Sequence, residues 1–137
     1  MKIVLDTNVL VSALISPRGS PAQILRLILE GHLTLCVDPR IAVEYRDVIP
    51  RPEWSFDLED ANEVLTALLD EAVVIGALPA EHLTPDRDDQ VFVDTAVSAR
   101  ADALVTGNKR HFPAETIGNA RVLSPAEFMD FMRKKEK

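Results

Sequence analysis

Several things this 137-residue chain has little of narrow its chemistry before any motif is read. It has one cysteine, Cys36, which excludes an internal disulfide framework and suits a reducing cytoplasm. Set in "LTLCVDP", that thiol reads as strand core. No apolar run approaches the roughly 20 residues needed to span a bilayer. The amino-terminal stretch has a single lysine, an early aspartate and no small-residue cleavage pattern, so it does not read as a signal peptide. Repeats, low-complexity tracts and linkers are absent, and the length suits one domain over residues 1–137. Positive charge is also short: 15 Lys and Arg face 22 Asp and Glu, for a formal net charge of −7. A protein that holds nucleic acid by simple electrostatics carries a basic face. Either nucleic acid is not the partner, or the acidic residues are gathered to hold cations. The basic carboxyl-terminal run "MRKKEK" reads as a solvated tail.

What is present is alternation. "KIVLD", "LTLCV", "AVVIG", "ADALVT" and "ARVLS" are short, apolar and β-prone. Between them lie amphipathic stretches. "NVLVSALI" either continues the first strand or, with Asn8 as cap, forms a helix to about Ile15. Ser20-Pro21 opens a helix that Gly31 stops, and helices are expected over 39–49, 57–71, 89–100 and 125–133. Strands alternating with helices imply a parallel sheet covered on both faces. In such sheets ligands bind beyond the carboxyl ends of the strands, at a switch in strand order. Asp6 ends the first strand and Asn108, in "LVTGN", lies just past the fourth, so both belong to that edge.

Helix geometry sorts the remaining carboxylates. Glu44 is three residues from Ile41 and four from Val48, so it borders an apolar stripe and aims at the sheet edge, with a solvated helix glutamate as the competing reading. In "PDRDDQVFVDTAVSA", Asp89 lies on the side of Phe92, Val93, Ala96 and Ala99, facing inward. Asp94 falls beside Ser98 and reads as solvent-facing, while Asp86 and Asp88 lie in the loop or cap the helix. Helix capping is the competing reading for Asp88 and Asp89. Carboxylates brought together must share protons or bind a cation, and oxygen-only ligands favour Mg²⁺ or Mn²⁺. Such an ion reconciles an acidic protein with a polyanionic substrate.

Three stretches, "VLDTNVLVSAL", "EYRDVIPRPEW" and "DRDDQVFVDTAVSARADALVTGNKRHF", resemble the PIN domain, and more narrowly the VapC-type ribonuclease toxins of toxin–antitoxin pairs. The resemblance runs in register from residue 2 to about 129. It implies a three-layer α/β/α sandwich with a mainly parallel five-stranded sheet, and metal-dependent endoribonuclease activity. It carries the family's acidic positions onto Asp6, Glu44 and Asp89, holding Mg²⁺ or Mn²⁺. The chain departs from the family's fourth acidic position, in its "TGD"-like turn, with Asn108. Asparagine can accept through its carbonyl or hold a water, but brings no charge. Thr7, Asn8, Thr106 and Lys109 are candidates to support the site or touch RNA, with Arg110 and Arg18 as further phosphate contacts. His111, followed by Phe112 and Pro113, reads as a packed structural residue, with a general acid as the alternative. A homodimer, a small cognate antitoxin and a cytoplasmic location are also implied. Trp54 reads as core rim, or with Phe56 as a contact surface.

Other families that place an aspartate after the first strand fit less well. A phosphatase of the haloacid dehalogenase type needs a second aspartate two residues on, where this chain has Asn8. A receiver domain needs an acidic pair at the first strand. A PIN-fold binding module with little nuclease activity stays open because of Asn108.

Overall fold

The computed structural model describes residues 1–135; the last two residues of the basic tail lie outside the described residues. Six strands and six helices alternate. They are β1 (Lys2–Leu5), α1 (Thr7–Ile15), α2 (Ser20–Leu29), β2 (Thr34–Val37), α3 (Pro39–Val48), α4 (Leu58–Glu71), β3 (Val73–Val74), α5 (Gln90–Ser98), β4 (Ala103–Val105), β5 (Thr116–Ile117), β6 (Ala120–Leu123) and α6 (Pro125–Lys135). Short 3₁₀ turns occupy Pro52–Trp54, Arg87–Asp89 and Lys109–His111.

The sheet runs β3-β2-β1-β4-β6-β5. The first five strands of that order are parallel neighbours, and only β5 is antiparallel, paired to β6 through Thr116↔Arg121 and Ile117↔Ala120. This sixth strand is absent from the five expected because two residues, Thr116 and Ile117, carry too little pattern to read as a strand. Gly118 turns the hairpin with φ +59, which favours glycine at the first position of a two-residue turn.

The central strands explain their own composition. Ile3, Val4 and Leu5 of β1 and all of β4 are buried, as a strand covered on both faces requires. Helices α3 and α5 pack on one another and on β1, β2 and β4, while α2 packs with α1 and α6. Gly31 follows α2 at φ +83, where the His32 amide donates to the Leu27 carbonyl and closes the helix end.

Strand order switches between β1 and β4: the chain builds outward through β2 and β3, then restarts on the other side of β1. Leu5 pairs with Val105, so Asp6 and Thr106 leave the sheet side by side at its carboxyl edge. That is the crevice where open α/β sheets bind ligands.

Asp94 is a correction to the sequence reading. It is buried, because the segment leading to α5 folds over the helix face assigned to solvent. Its Oδ1 accepts from the Ala80 amide and from Gln90 Nε2, each at 2.9 Å. The Ser98 hydroxyl likewise accepts from the Leu78 amide at 3.0 Å. A periodicity argument sees only the helix and not the loop that comes to cover it.

Candidate active site

Asp6 is the N-cap of α1 by position, yet no side-chain hydrogen bond caps that helix. Its carboxylate instead turns to the Thr106 hydroxyl, which donates to Oδ2 at 2.7 Å. The residue is 7% exposed. Burial is the main reason its pKa rises from 3.8 to about 6; Thr106 opposes the rise, and Asp89 and Glu44 add to it. Three carboxylates from segments far apart in sequence therefore feel one another here.

Glu44 projects from α3, and the Thr7 hydroxyl donates to its Oε2. The Tyr45 hydroxyl on the same helix is buried and donates to the Leu5 carbonyl, fixing α3 against the end of β1. Asp89 stands where the 3₁₀ turn meets α5. The capping alternative does not apply to it: no side-chain bond caps α5, and it is Asp86 that accepts from the Asp88 amide, at 2.9 Å. Burial raises the Asp89 pKa and His111 opposes this, while Asp86, Glu44 and Asp88 push it further up. Its Oδ2 is shielded from solvent and accepts no hydrogen bond. Buried acceptors are nearly always satisfied, so this oxygen is an exception that lacks a partner among the described residues.

The turn after β4 ties the edge together. Fully buried Thr106 accepts from the Asn108 amide at 3.0 Å while donating to Asp6. Both of its hydroxyl roles are thus taken within the protein, which makes it an internal link instead of a surface for substrate. Asn8 is exposed, and its Oδ1 accepts from the Gly107 amide at 3.3 Å. Lys109 is drawn away from the site: its ammonium binds both oxygens of Glu127, at 3.0 and 3.1 Å. Arg110 and Arg18 are exposed.

His111 is the second correction. It is not packed by Phe112 and Pro113; its ring is about half exposed and faces the site, with Nδ1 3.4 Å from Asp89 Oδ2 and Nε2 3.0 Å from the Asn108 side-chain nitrogen. Phe112 alone turns inward and is buried.

An open cleft of about 700 Å³ leads away from Asp6, Thr7 and Glu44. Its far wall, which the sequence reading missed, holds Asp47, Val48, Arg51 and Trp54. The helical spacing Glu44, Asp47/Val48 was the available signal for Asp47 and Val48, since residues three and four apart share a face, whereas Arg51 lies past the end of α3. Trp54 is half-buried there, its indole N–H donating to the Val48 carbonyl at 2.9 Å.

These residues suit a divalent cation. The donors are hard oxygens, their mutual repulsion is unrelieved, and one of them is an orphaned buried acceptor. Among the described residues no three His, Cys, Asp or Glu side chains stand close enough to cage an ion unaided. Mg²⁺ ordinarily keeps several waters and takes only one or two carboxylates directly, so a loose ring of acids is compatible with it.

The domain model described as PIN domain matches residues 2–110. This chain belongs to the PIN domain family. It is 34% identical over 112 residues, 80% of its own length and 72% of the relative's, to the uncharacterized protein MJ1680 of Methanocaldococcus jannaschii. Its fold is also similar to a chain in the crystal structure of VapBC2 from Rickettsia felis bound to a DNA fragment from their promoter. There the TM-score is 0.55 at 18% identity, covering 89% of this chain and 97% of that one. The three-layer PIN architecture expected from the sequence is therefore the observed one. PIN domains are generally nucleases that use divalent metals, and the carboxyl edge of this sheet is where the acidic residues meet.

Proposed function

We propose that this PIN domain protein is a metal-dependent endoribonuclease and the toxin of a toxin–antitoxin pair, acting as a single domain in the cytoplasm. The observation that carries the catalytic part is the convergence of Asp6, Glu44 and Asp89 on one sheet edge, with Asp6 pushed up to about 6 in the absence of an ion. The similarity to a chain of a VapBC complex supports the antitoxin partner; the homodimer rests on the resemblance to VapC-type toxins in sequence.

Asp6, Glu44 and Asp89 would hold Mg²⁺ or Mn²⁺, directly or through water. When bound, the ion supplies water activation and neutralises the phosphoryl oxygens in an in-line hydrolysis of RNA. The protein's own work is positioning. The Thr7 hydroxyl holds Glu44, and the Thr106 hydroxyl holds Asp6. The Asn108 backbone amide holds Thr106 in turn, a contact that any residue but proline would make at this position. The cleft toward Val48 and Trp54 accommodates the strand beside the scissile phosphate.

The test is cleavage of a mixed RNA pool by antitoxin-free protein with Mg²⁺, Mn²⁺ or chelator, beside Asp6→Asn. Metal-dependent cleavage that disappears in Asp6→Asn is expected. Cleavage that persists in the variant would show a different centre or a contaminant. A folded parent that cleaves under neither ion would leave a PIN-fold binding module, the reading that the neutral Asn108 favours.

A further inference from the structure

We propose that the part of the cleft beyond the carboxylates is a nucleobase subsite, in which Trp54 and Ile15 hold an unpaired base of a nucleotide flanking the scissile phosphate. The subsite rests on the ribonuclease reading above and says how that centre takes its strand.

The cleft changes character along its length. Asp6, Thr7 and Glu44 make its end at the sheet edge acidic and polar. Val11 and Ile15 follow on α1 at helical spacing, while Val48 and Trp54 line the cleft from the side of α3. Thr7 and Ile15 are the first and last residues of α1, so about 12 Å of helix separates them. A phosphodiester at the acidic end, as the ribonuclease reading requires, brings a flat and largely apolar base within reach of this slot. The cleft's volume of about 700 Å³ falls in the range that encloses small organic groups.

Ile15 is 57% exposed, although Val9, Leu10, Val11 and Ala13 of the same helix are buried. One exposed isoleucine means little by itself, but this one lines the same cleft as a tryptophan. Trp54 has already spent its indole N–H on the Val48 carbonyl at 2.9 Å, so what it offers the cleft is the carbon surface of its ring. That bond also fixes the ring before a ligand arrives, which lowers the entropy cost of packing against it. Aromatic rings hold unpaired bases by their π-faces, with little regard to sequence. Arg51 adds a positive charge to the cleft wall. Its partner Asp47 is 3.5 Å away, and the two side chains are 48% and 75% exposed. An exposed pair of this kind is weakly held, which leaves the guanidinium free to turn to the strand's backbone.

The consequence is selectivity for single-stranded RNA. A base inside a duplex is already stacked and paired, and cannot enter the slot. Removing a base that stacks on an aromatic side chain costs about 5–100-fold in affinity.

Trp54 is the chain's one tryptophan, so its fluorescence reports on this subsite alone. The full chain, with Ca²⁺ in place of Mg²⁺ to slow cleavage, is titrated with a short oligoadenylate. The same titration is run with a ribose-phosphate oligomer of equal length that carries no bases, and with the oligoadenylate paired to oligouridylate. Calorimetry follows binding independently. We expect saturable quenching by the oligoadenylate, none by the duplex, and about 5–100-fold weaker binding of the base-free oligomer without quenching. Ile15→Asp, at an exposed position that keeps the reporter, is expected to weaken oligoadenylate binding about tenfold with an unchanged melting curve. Equal affinity for the base-free oligomer, or oligoadenylate binding that leaves Trp54 fluorescence unchanged, would overturn the subsite. Equal quenching by the duplex would overturn the selection of single strands, and parent-like binding by Ile15→Asp would overturn the part given to Ile15. No binding of either oligomer by a protein that cleaves RNA would overturn the subsite alone and give the slot to a protein partner. Quenching by the single strand in a protein that cleaves nothing with Mg²⁺ or Mn²⁺ would uphold the subsite and overturn the nuclease reading.

Discussion

Asp6 and Asp38 occupy equivalent places and have opposite characters. Each ends an apolar parallel strand, each precedes a helix, and they are 7% and 3% exposed. Asp38 is saturated. Its Oδ1 accepts from the Arg40 amide at 2.8 Å and Arg40 Nε at 2.9 Å, and its Oδ2 accepts from Arg40 Nη2 at 3.1 Å and the Ala77 amide at 2.9 Å. The Arg40 side chain is the main reason its pKa falls to about 2. Asp6 has the Thr106 hydroxyl, the nearby Thr7 amide and two carboxylates for company, and its pKa rises. One aspartate caps a helix and latches the segment that follows β3; the other sits where burial and neighbouring carboxylates disfavour its charged form. Position in the fold made both possible, and the neighbours decided between them.

The largest effect that would separate the two is catalytic. Asp6→Asn should lower metal-dependent RNA cleavage by roughly a thousandfold or more, equivalent to about 4 kcal/mol of barrier. Asp38→Ala should leave cleavage per folded molecule unchanged. Equal losses in both, measured on samples of matched folded fraction, would erase the distinction.

Stability should move the other way. Asp38→Ala removes a cap and charge-assisted bonds and orphans the Ala77 amide, a loss of about 3 kcal/mol in denaturant unfolding. Asp6→Asn should stabilise the metal-free protein at pH 8. A carboxyl raised from 3.8 to about 6 in the native state corresponds to about 3 kcal/mol disfavouring the charged form, which asparagine does not pay. Its contribution to stability is fully present below pH 3.8 and is lost as pH rises through 6, so the advantage of Asp6→Asn should vanish near pH 4. The sign for Asp38 is reversed: its contribution is present above 3.8 and lost as pH falls toward 2. Melting curves across this range, parent against each variant, test both signs.

Adding Mn²⁺ sharpens the contrast further. An ion that binds only the native state stabilises it by mass action, by about 2.7 kcal/mol at a hundredfold excess over Kd, and so raises its melting temperature. The parent and Asp38→Asn should show the rise and Asp6→Asn should not. The smallest effect is expected at Asp94, a third aspartate consumed by the protein. Asp94→Ala should cost about 1–2 kcal/mol and speed amide exchange at Ala80, without touching cleavage.

Much of this was legible in the chain because strands and helices announce themselves by periodicity, and the carboxyl ends of parallel strands are where ligands collect. Strand ends and helix geometry singled out Asp6, Glu44 and Asp89 as candidates, with a solvated face competing for Glu44 and helix capping for Asp89. What escaped depends on contacts between segments that no local pattern encodes. Asp94 looked solvated because the covering loop is irregular. The difference between Asp6 and Asp38 lies in Arg40 and Ala77 on one side and Glu44, Asp89 and Thr106 on the other; of these only Arg40, in "CVDPR", is local, and the rest come from distant segments. His111 sits next to an aromatic and a proline, which suggested packing, whereas the 3₁₀ turn through Lys109–His111 swings its ring outward toward Asp89.

The pairing of β1 with β4 has a consequence in time. Asp6 and Thr106, joined by one hydrogen bond, are 100 residues apart in the chain. At a synthesis rate of about 5–20 residues per second, Thr106 is made about 5–20 seconds after Asp6. Throughout that interval β1 has no β4 to pair with, and the acidic edge lacks two of its contributors, the Thr106 turn and, until late, Asp89. A nascent chain interrupted anywhere before this point lacks the Thr106 hydroxyl that holds Asp6. The central pairing of the sheet, and the edge that Asp6 and Thr106 form together, thus wait for the last third of the chain.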